Sequence, residues 1–382
     1  MTCPRKATLA DYPELMSFLN GIFKIRMDLD YSHIYKPTGK DMANNIVAIE
    51  DGKIVSCVGI FPMTFVCGDV RLRVGGIGGV STNPEYRNRG LMTKLMNKAM
   101  ELMKRRNYDI SILWGDRLRY ARFGYENAGR HYTFNLDRRH VLPGIPPGAE
   151  IRPLSMAGDD LRRIARLYRQ WHLRVERSPA KLSSVFARHT YETWVWRKGK
   201  AFAYMTIKGV GADRDLIESG GEPEGLDSLL SFLFDKYELE NLAGTIPYCR
   251  SPYVPFVINH SSGWGIGFSR RVRGEMVKIL DLASLLRRFA GQIGQKARGL
   301  GLKGSLTLEM TDSAQFATLH FGKRTTISEK RTAPILSLSD TDMVRLIFGT
   351  IPPSHSQQLD KSFHSLDAIF PLDFYVPRLD WV

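Results

Sequence analysis

Apolar positions in the first third of the chain follow a helical spacing, then an alternating one, then a helical one again. Residues 8–23 carry one apolar stripe and predict a helix. The Asp51-Gly52 dipeptide separates two apolar runs and predicts a hairpin, because Asp-Gly is a strong signal for a two-residue turn. Residues 70–82 predict a third strand. The pattern therefore indicates an amphipathic helix followed by antiparallel strands.

The third predicted strand is interrupted by four glycines. Glycine inside a strand weakens it and often marks a bulge or a place where a ligand lies against the backbone. We therefore expect one of these features in the second half of the strand. The glycines are Gly75, Gly76, Gly78 and Gly79.

A short loop and an amphipathic helix follow this strand directly. Pro84 ends the strand, and from Arg89 onward apolar residues recur at helical spacing with polar residues on the opposite face. The first turn of a helix leaves backbone N–H groups unpaired and carries partial positive charge, so a pyrophosphate can bind there. Gly90 leaves room for its approach, and Arg87 and Arg89 can donate charge-assisted hydrogen bonds.

The Arg-x-x-Gly pattern of residues 87–90 recurs in the chain, and the context argues against residues 73–78, 271–274 and 288–291. Residues 73–78 lie inside a predicted strand. Residues 271–274 precede an apolar run that predicts a strand or the approach to a helix. Residues 288–291 end a helical pattern, where Gly291 is expected to be a C-cap. Of these four segments, only residues 87–90 open a long amphipathic helix directly after a strand.

The remaining chain predicts further helices and strands but no second phosphate-binding loop, so we expect a structural role for its middle part. Residues 141–148 are rich in Pro and Gly and predict a linker. A chain of 382 residues has room for two or three domains. The further elements are a helical stripe at 161–171, a strand at 201–207, a helix at 226–233, a helix at 282–289, strands at 305–310 and 316–321, and a helix at 341–348.

The net charge of +15 raises the question of nucleic-acid binding. The Lys and Arg residues are scattered without a long basic run, so we favour a solvated basic surface, or a field that attracts an anionic cofactor, over a nucleic-acid partner.

The cysteines form no CxxC pair, which predicts neither a metal site nor a disulfide framework. The sequence contains no signal-peptide pattern and no uncharged apolar stretch long enough to span a membrane. We therefore expect a cytoplasmic protein without a membrane span. The cysteines are Cys3, Cys57, Cys67 and Cys249.

The loop and a second motif together resemble the GNAT (GCN5-related N-acetyltransferase) superfamily. Its pyrophosphate loop reads Gln/Arg-x-x-Gly-x-Gly/Ala, and residues 87–92 depart from it only at Met92. Residues 120–125 read Tyr-x-Arg-Phe-Gly-Tyr, and the combination resembles the enhanced-intracellular-survival (Eis) branch. The resemblance implies an α+β and α/β architecture. A catalytic GNAT domain would occupy residues 1–140, a degenerate GNAT-like domain 150–272, and a sterol-carrier-protein-2-like α+β domain 273–382.

The same resemblance assigns a site for acetyl-CoA and two catalytic groups. Tyr120 would be the general acid that protonates the leaving thiolate, and packing on a short helix is its alternative role. The terminal carboxylate of Val382 would be the general base or would orient the acceptor ammonium, whereas a tail that only docks as a strand is the alternative. The cofactor-binding residues would be Val80, Ser81, Thr82, Arg87, Asn88, Arg89, Gly90, Leu91, Met92, Thr93, Gly115 and Asp116.

The implied function is transfer of an acetyl group from acetyl-CoA to a primary amine. Small amines, peptides and protein lysines are open as acceptors, and aminoglycosides are disfavoured because the penultimate residue is Trp381 rather than an acid. Two other functions stay open, a lipid carrier based on the C-terminal domain and an acetyl-CoA-regulated binding protein without transfer. We also expect a homo-oligomer.

Overall fold

The computed structural model describes residues 4–141, 144–248, 253–266 and 275–382. Up to residue 141 the elements are β1 (Arg5–Lys6), α1 (Tyr12–Phe23), α2 (Met27–Asp30), α3 (Gly39–Met42), β2 (Asn45–Glu50), β3 (Lys53–Cys67), β4 (Val70–Thr82), α4 (Leu91–Arg105), β5 (Ile110–Trp114), α5 (Arg117–Ala121), β6 (Glu126–Asn127) and β7 (His131–Asp137).

Two further groups of elements complete the described chain. Residues 144–266 contain β8 (Glu150–Pro153), α6 (Asp160–Tyr168), β9 (Leu173–Val175), α7 (Pro179–Phe186), β10 (Tyr191–Lys198), β11 (Ala201–Val210), β12 (Asp213–Gly221), α8 (Pro223–Lys236), β13 (Asn241–Pro247), α9 (Val254–His260) and β14 (Ser261–Ile266). Residues 275–382 contain β15 (Glu275–Ile279), α10 (Leu282–Gly299), β16 (Gly304–Met310), β17 (Gln315–Phe321), β18 (Thr326–Ser328), β19 (Ile335–Leu338), α11 (Asp340–Phe348) and α12 (Pro353–Ser356).

The strands form three mixed sheets. The first has the order β1-β2-β3-β4-β5-β15-β6, with β9 paired to β3. The second has the order β14-β7-β13-β12-β11-β10-β8, and the third β18-β17-β16-β19. In both of the larger sheets an antiparallel run ends in a helix that crosses over to a parallel neighbour, α4 between β4 and β5 and α8 between β12 and β13.

The sheets exchange strands across all the domain boundaries predicted from the sequence. Strand β7, from predicted domain 1–140, lies in the second sheet. Strand β9, from 150–272, pairs with β3 in the first sheet, and β15, from 273–382, pairs there with β5 and β6. Such long-range pairing leaves no local pattern in the sequence. The division into three domains therefore remains a prediction. In the structure, segments from the three predicted domains share sheets instead of forming separate ones.

The predicted hairpin of β2 and β3 is confirmed, with Asp51 and Gly52 both at positive φ, 50° and 74°. The prediction that Gly291 caps a short helix is wrong, because α10 continues through it to Gly299. The physical reason is that buried Phe289, Ile293 and Ala297 continue the apolar stripe. The Arg-x-x-Gly pattern at 271–274 lies outside the described residues.

The C-terminal tail, residues 371–382, runs as irregular chain through the interior and contacts elements associated with all three sheets. The alternative that it docks as a strand is wrong, since a short 3₁₀ turn at Arg378–Asp380 is its only regular element. Phe374 packs against Phe65 of β3 and against Phe348 of α11. Arg378 forms an ion pair of 2.9 Å with Asp215 of β12. The tail thus ties the parts of the molecule together.

A buried cluster of charges fixes the last turn of this tail. Arg177 donates hydrogen bonds to Asp380 and to Glu218, with closest distances of 2.8 and 2.7 Å, and all three side chains are at most 1% exposed. The hydroxyl of Tyr168 donates a further bond of 3.0 Å to Asp380. Burial alone would raise the pKa of Asp380, but the charges of Arg177 and Lys181 outweigh it and hold this pKa below its usual range.

Asp380→Asn removes the negative charge while keeping the size of the side chain. Because Arg177 and Lys181 then face an uncharged amide, we expect the free energy of unfolding to fall by about 3–5 kcal/mol, as for other broken buried ion pairs. Chemical denaturation measures the loss. Asp235→Asn is the matched control, since Asp235 is the exposed partner of Arg138 and its loss should change little. Equal stability of the two variants would contradict the role of the cluster.

Candidate active site

A bulge opens β4 at the centre of the first sheet. Between the pairs Cys57–Ser81 and Gly59–Gly78, the two residues Gly79 and Val80 of β4 oppose a single residue of β3. Gly79 has a φ of 60°, in the left-handed region that glycine adopts without strain. Within the described residues, β4 pairs with β5, in parallel, only through its residues 74–76. The two strands therefore diverge beyond Gly76, and the end of β4, from Val80 to Thr82, lines a cleft on that side.

The first of two clefts, of about 590 Å³, extends from the end of β4 to the start of α4. Gly90 is the N-cap of α4 with a φ of 72°, and no atom lies within 4 Å of where its Cβ would be. This open space is what the approach of a phosphate to the helix N-terminus requires. Most of the predicted cofactor-binding residues line this cleft, namely Val80, Ser81, Thr82, Arg87, Asn88, Gly90, Leu91, Met92 and Thr93.

The structure places the other three predicted cofactor residues outside the lining. Arg89 turns to Glu50, with an ion pair of 3.0 Å, and its guanidinium lies over the Tyr86 ring. Asp116 is the N-cap of α5 and accepts hydrogen bonds from two backbone N–H groups of that helix. A Cβ on Gly115 would lie 2.6 Å from the ring of Tyr120, so this glycine makes room for the tyrosine.

Two arginines in the first cleft were not predicted from the sequence. Arg119 and Arg122 line it together with Arg87, and Arg122 also contacts the hydroxyl of Thr93 at 3.4 Å. Their spacing of three residues, just after the helix-capping Asp116, was the signal that could have revealed them. Three guanidinium groups beside a helix N-terminus suit a polyanionic ligand. Ile22, Phe23 and Tyr86 are the other unpredicted lining residues.

The second cleft, of about 200 Å³, lies where β4 and β5 diverge. Tyr120 and Val382, the two predicted catalytic residues, both line it, although they are separated by most of the chain. Phe23 and Val80 line both clefts, so the two clefts adjoin. Tyr120 is 6% exposed and packs edge-to-face on Tyr125 at 6.3 Å between ring centroids.

The chain terminus lies against the glycines of β4. A Cβ on Gly78 would be 2.9 Å from the carboxyl carbon of Val382, and one on Gly76 would be 2.6 Å from its Cγ2. Any side chain at these two positions would collide with the terminal residue. Val382 is therefore a close neighbour of the strand at Gly76 and Gly78, together with Met63 and Phe61 of β3.

Trp381, the residue before Val382, is fixed by three contacts. Its indole N–H donates to the carbonyl of Val376 at 3.1 Å, and its ring packs on Trp114 with centroids 5.1 Å apart. The carbonyl of Trp381 lies 3.1 Å from Nε2 of His33. Burial, together with the charge of Arg188, lowers the pKa of His33 well below its usual value, so a neutral imidazole donates this bond.

Within the described ranges, no three His, Cys, Asp or Glu side chains are arranged so that they could hold a metal ion. In the same part of the chain, no helix has the length and apolar character needed to cross a bilayer.

Comparisons with known proteins bear on the N-terminal domain and on the fold. Residues 4–128 match a family model described as an acetyltransferase (GNAT) domain. No curated protein sequence matches the chain. Among solved structures, a GCN5-related N-acetyltransferase from Kribbella flavida aligns with a TM-score of 0.74 and 16% identity over 100% of this chain and 98% of its own.

Two further solved structures share the fold over almost the whole length. A protein of unknown function and probable N-acyltransferase from Enterococcus faecalis V583 aligns with a TM-score of 0.76 and 16% identity, covering 98% of this chain and 97% of its own. Eis1 from Mycobacterium abscessus aligns with a TM-score of 0.68 and 13% identity, covering 97% and 99%. At such identities the likeness shows the fold. The family match, for its part, shows that residues 4–128 form an acetyltransferase (GNAT) domain, so the chain carries an acyltransferase domain.

Proposed function

We propose that the protein transfers an acetyl group from acetyl-CoA to a primary amine. The observation that carries the proposal is the junction of the two clefts. The first is lined by groups that could donate to a pyrophosphate, and both Tyr120 and Val382 line the second. Acyl transfer to an amine needs these parts side by side, because the thioester must extend from the cofactor site to the nucleophile.

The first cleft would hold the cofactor. The first-turn N–H groups of α4 and the guanidinium groups of Arg87, Arg119 and Arg122 would bind its phosphates. The backbone of β4 from Val80 to Thr82, which has no strand partner on its β5 side, would lie along the pantetheine arm. An N–H group near Val80 would then stabilise the thioester oxygen as it gains negative charge.

The proton transfers would take place in the second cleft. The amine nitrogen attacks the thioester carbon, the carbon–sulfur bond breaks, and the thiolate leaves. Tyr120 would donate its proton to that sulfur, and the proton that the nitrogen loses as the amide forms would restore the phenol. A phenol has an ordinary pKa of about 10 and a thiol of about 8.5, so this transfer is only modestly uphill.

The terminal carboxylate would act on the acceptor. An α-carboxyl group has an ordinary pKa of about 3.5 and an alkylammonium of about 10.4, so direct proton abstraction is steeply unfavourable. An apolar cleft lowers the pKa of a bound ammonium, which narrows this gap. Val382 would therefore first orient the ammonium. Its carboxylate would receive the proton only once the cleft has lowered the pKa of the ammonium.

A lipid-carrier function has less support. It requires a large apolar cavity, whereas the third sheet is packed against its neighbours. Its buried residues Leu306, Leu308 and Leu319 share one hydrophobic core with residues of α10 and of β15, a strand of the first sheet.

The second sheet would contribute structure only. Its crossover helix α8 begins with Glu222 and Glu224, and these charges oppose phosphate binding at that helix N-terminus.

Gly90→Glu would place a carboxylate and a side chain where the pyrophosphate is proposed to bind. We expect acetyl-CoA affinity to fall by about a hundredfold or more, through charge repulsion and lost hydrogen bonds to phosphate. Isothermal titration calorimetry measures it. Gly301→Glu is the matched control, because Gly301 has a φ of 66° and equally open surroundings at the far end of α10. If both variants bind acetyl-CoA as the native protein does, the assignment of the pyrophosphate site is wrong.

Tyr120→Phe removes one hydroxyl and almost no volume. If the hydroxyl protonates the thiolate, turnover should fall by about 10²–10⁴-fold while acetyl-CoA affinity hardly changes. Steady-state assays of CoA release and calorimetry separate the two effects. Tyr125→Phe is the control for loss of a buried hydroxyl in the same ring pair, since Tyr125 bonds Ser111 at 2.7 Å away from the clefts. Near-native turnover in Tyr120→Phe would leave the residue a packing role only.

Adding one glycine after Val382 moves the terminal carboxylate by up to about 3.6 Å and keeps every native side chain. We expect turnover to be abolished, with acetyl-CoA binding and the melting temperature retained, because the charge leaves its position beside Gly78. Val382→Ala is the control, since it changes the side chain and leaves the carboxylate in place. An extended protein with full activity and its native melting temperature would show that the carboxylate has no catalytic role.

A further inference from the structure

The second cleft offers an acceptor one negative charge. Its lining residues in the described chain include no Asp, Glu, Lys, Arg or His, so the only formal charge in its wall is the carboxylate of Val382. They are Phe23, Ile25, Met27, Tyr31, Ile77, Gly78, Gly79, Val80, Leu113, Trp114, Tyr120, Trp381 and Val382.

The acidic residues that neighbour this lining in sequence are engaged elsewhere. Asp28 is bound by Arg26 at 2.5 Å. Asp30 is buried, and its Oδ1 lies 3.0 Å from Nδ1 of His189 without a hydrogen bond; Asp30 is not among the residues that line the cleft. Asp116 caps α5, and Asp380 is bound by Arg177 within the buried cluster. None of them lines the cleft as a counter-charge for a second ammonium group.

The wall of the second cleft is mostly aromatic and apolar. Tyr31, Trp114, Tyr120 and Trp381 line it, and an aromatic face attracts one ammonium group as well as an apolar body. At about 200 Å³ the cleft is smaller than the roughly 300–1,000 Å³ that encloses a drug-sized ligand. A compact group can therefore be enclosed, and a longer one must extend through the mouth.

The apolar character continues outward from the cleft. Phe23 and Ile25 line it and are nevertheless 39% and 40% exposed. Large apolar side chains that are half exposed beside a binding cleft provide surface that an apolar ligand can cover. An acceptor that emerges from the cleft would therefore meet an apolar rim rather than acidic groups.

We propose that the acceptor is a primary amine with a single positive charge, attached to an apolar or aromatic body. The inference rests on the proposed acetyl transfer and narrows its acceptor. A polyamine or another polycation would bring a further ammonium group to a surface without a counter-charge, and a desolvated charge without a partner is unfavourable. One ammonium, by contrast, finds both the terminal carboxylate and aromatic faces.

Hexylamine and 1,6-diaminohexane make the sharpest comparison, because they share the reacting group and the chain length and differ in the second charge. We expect hexylamine to bind the CoA-saturated protein at least about tenfold more tightly by calorimetry, after allowing for two equivalent amines in the diamine. With acetyl-CoA, kcat/KM should show the same order. Equal or tighter binding of the diamine, or no binding of either amine, would overturn the proposal.

Ile25→Asp tests the rim directly, by adding one carboxylate where the second ammonium of the diamine would emerge. The preference for hexylamine should fall by about fivefold or more. Ile258→Asp is the control, since Ile258 is similarly exposed, at 48%, on α9 away from both clefts. An unchanged preference in Ile25→Asp would count against the assigned rim.

The two readouts separate this inference from the proposed function. Tighter binding of hexylamine without acetylation of either amine would support the inferred amine class and refute acetyl transfer to such amines. Acetylation of both amines with equal kcat/KM would support the transfer and refute the inferred class.

Discussion

Arg177, buried between two carboxylates, holds the end of the chain in place, and the second cleft depends on that end. Its guanidinium bonds both Asp380 and Glu218 and lies 3.8 Å from the centre of the Tyr168 ring. Charges so far from water are stable only when every partner is present. The cluster therefore does more than join α7 and β12 to the tail. It fixes the residue that lies two positions before the terminal carboxylate.

From that anchor the remaining contacts follow in order along the tail. The turn after Asp380 brings Trp381 onto Trp114 and its carbonyl to His33, and Val382 then reaches the backbone of β4. This last approach is possible only because Gly76 and Gly78 have no side chains. A strand weakened by glycines and a tail with an apolar end are two unfavourable features taken alone. Each is explained by the other once the chain is folded.

The sequence predicted the local elements of the acetyltransferase domain well, because their signals are local. The Asp51-Gly52 turn, the bulge-prone glycines and the loop before α4 each lie within one short segment, and the structure has an element at each place. The meeting of Tyr120 with Val382 came from a family resemblance and not from any pattern in the residues. Strand exchange among the sheets escaped prediction, because pairing such as that of β15 with β5 leaves no periodic trace. Arg119 and Arg122 were missed because their role depends on where α5 lies against α4.

The two larger sheets show how one site can be built from unequal parts. Both contain a crossover helix between parallel strands, yet the N-terminus of α4 presents Gly90 and nearby arginines, whereas that of α8 presents Glu222 and Glu224. Phosphate binding is thus favoured at one and opposed at the other. The second sheet and its helices contribute in another way: Glu218 of β12 binds Arg177, and Tyr168 of α6 bonds Asp380, so both help to hold Asp380 in place. We interpret the second sheet and its helices as the support that keeps Val382 beside the first cleft. The proposed catalytic arrangement would therefore draw on nearly the whole chain, although the cleft proposed for the cofactor is lined only by residues between 22 and 122.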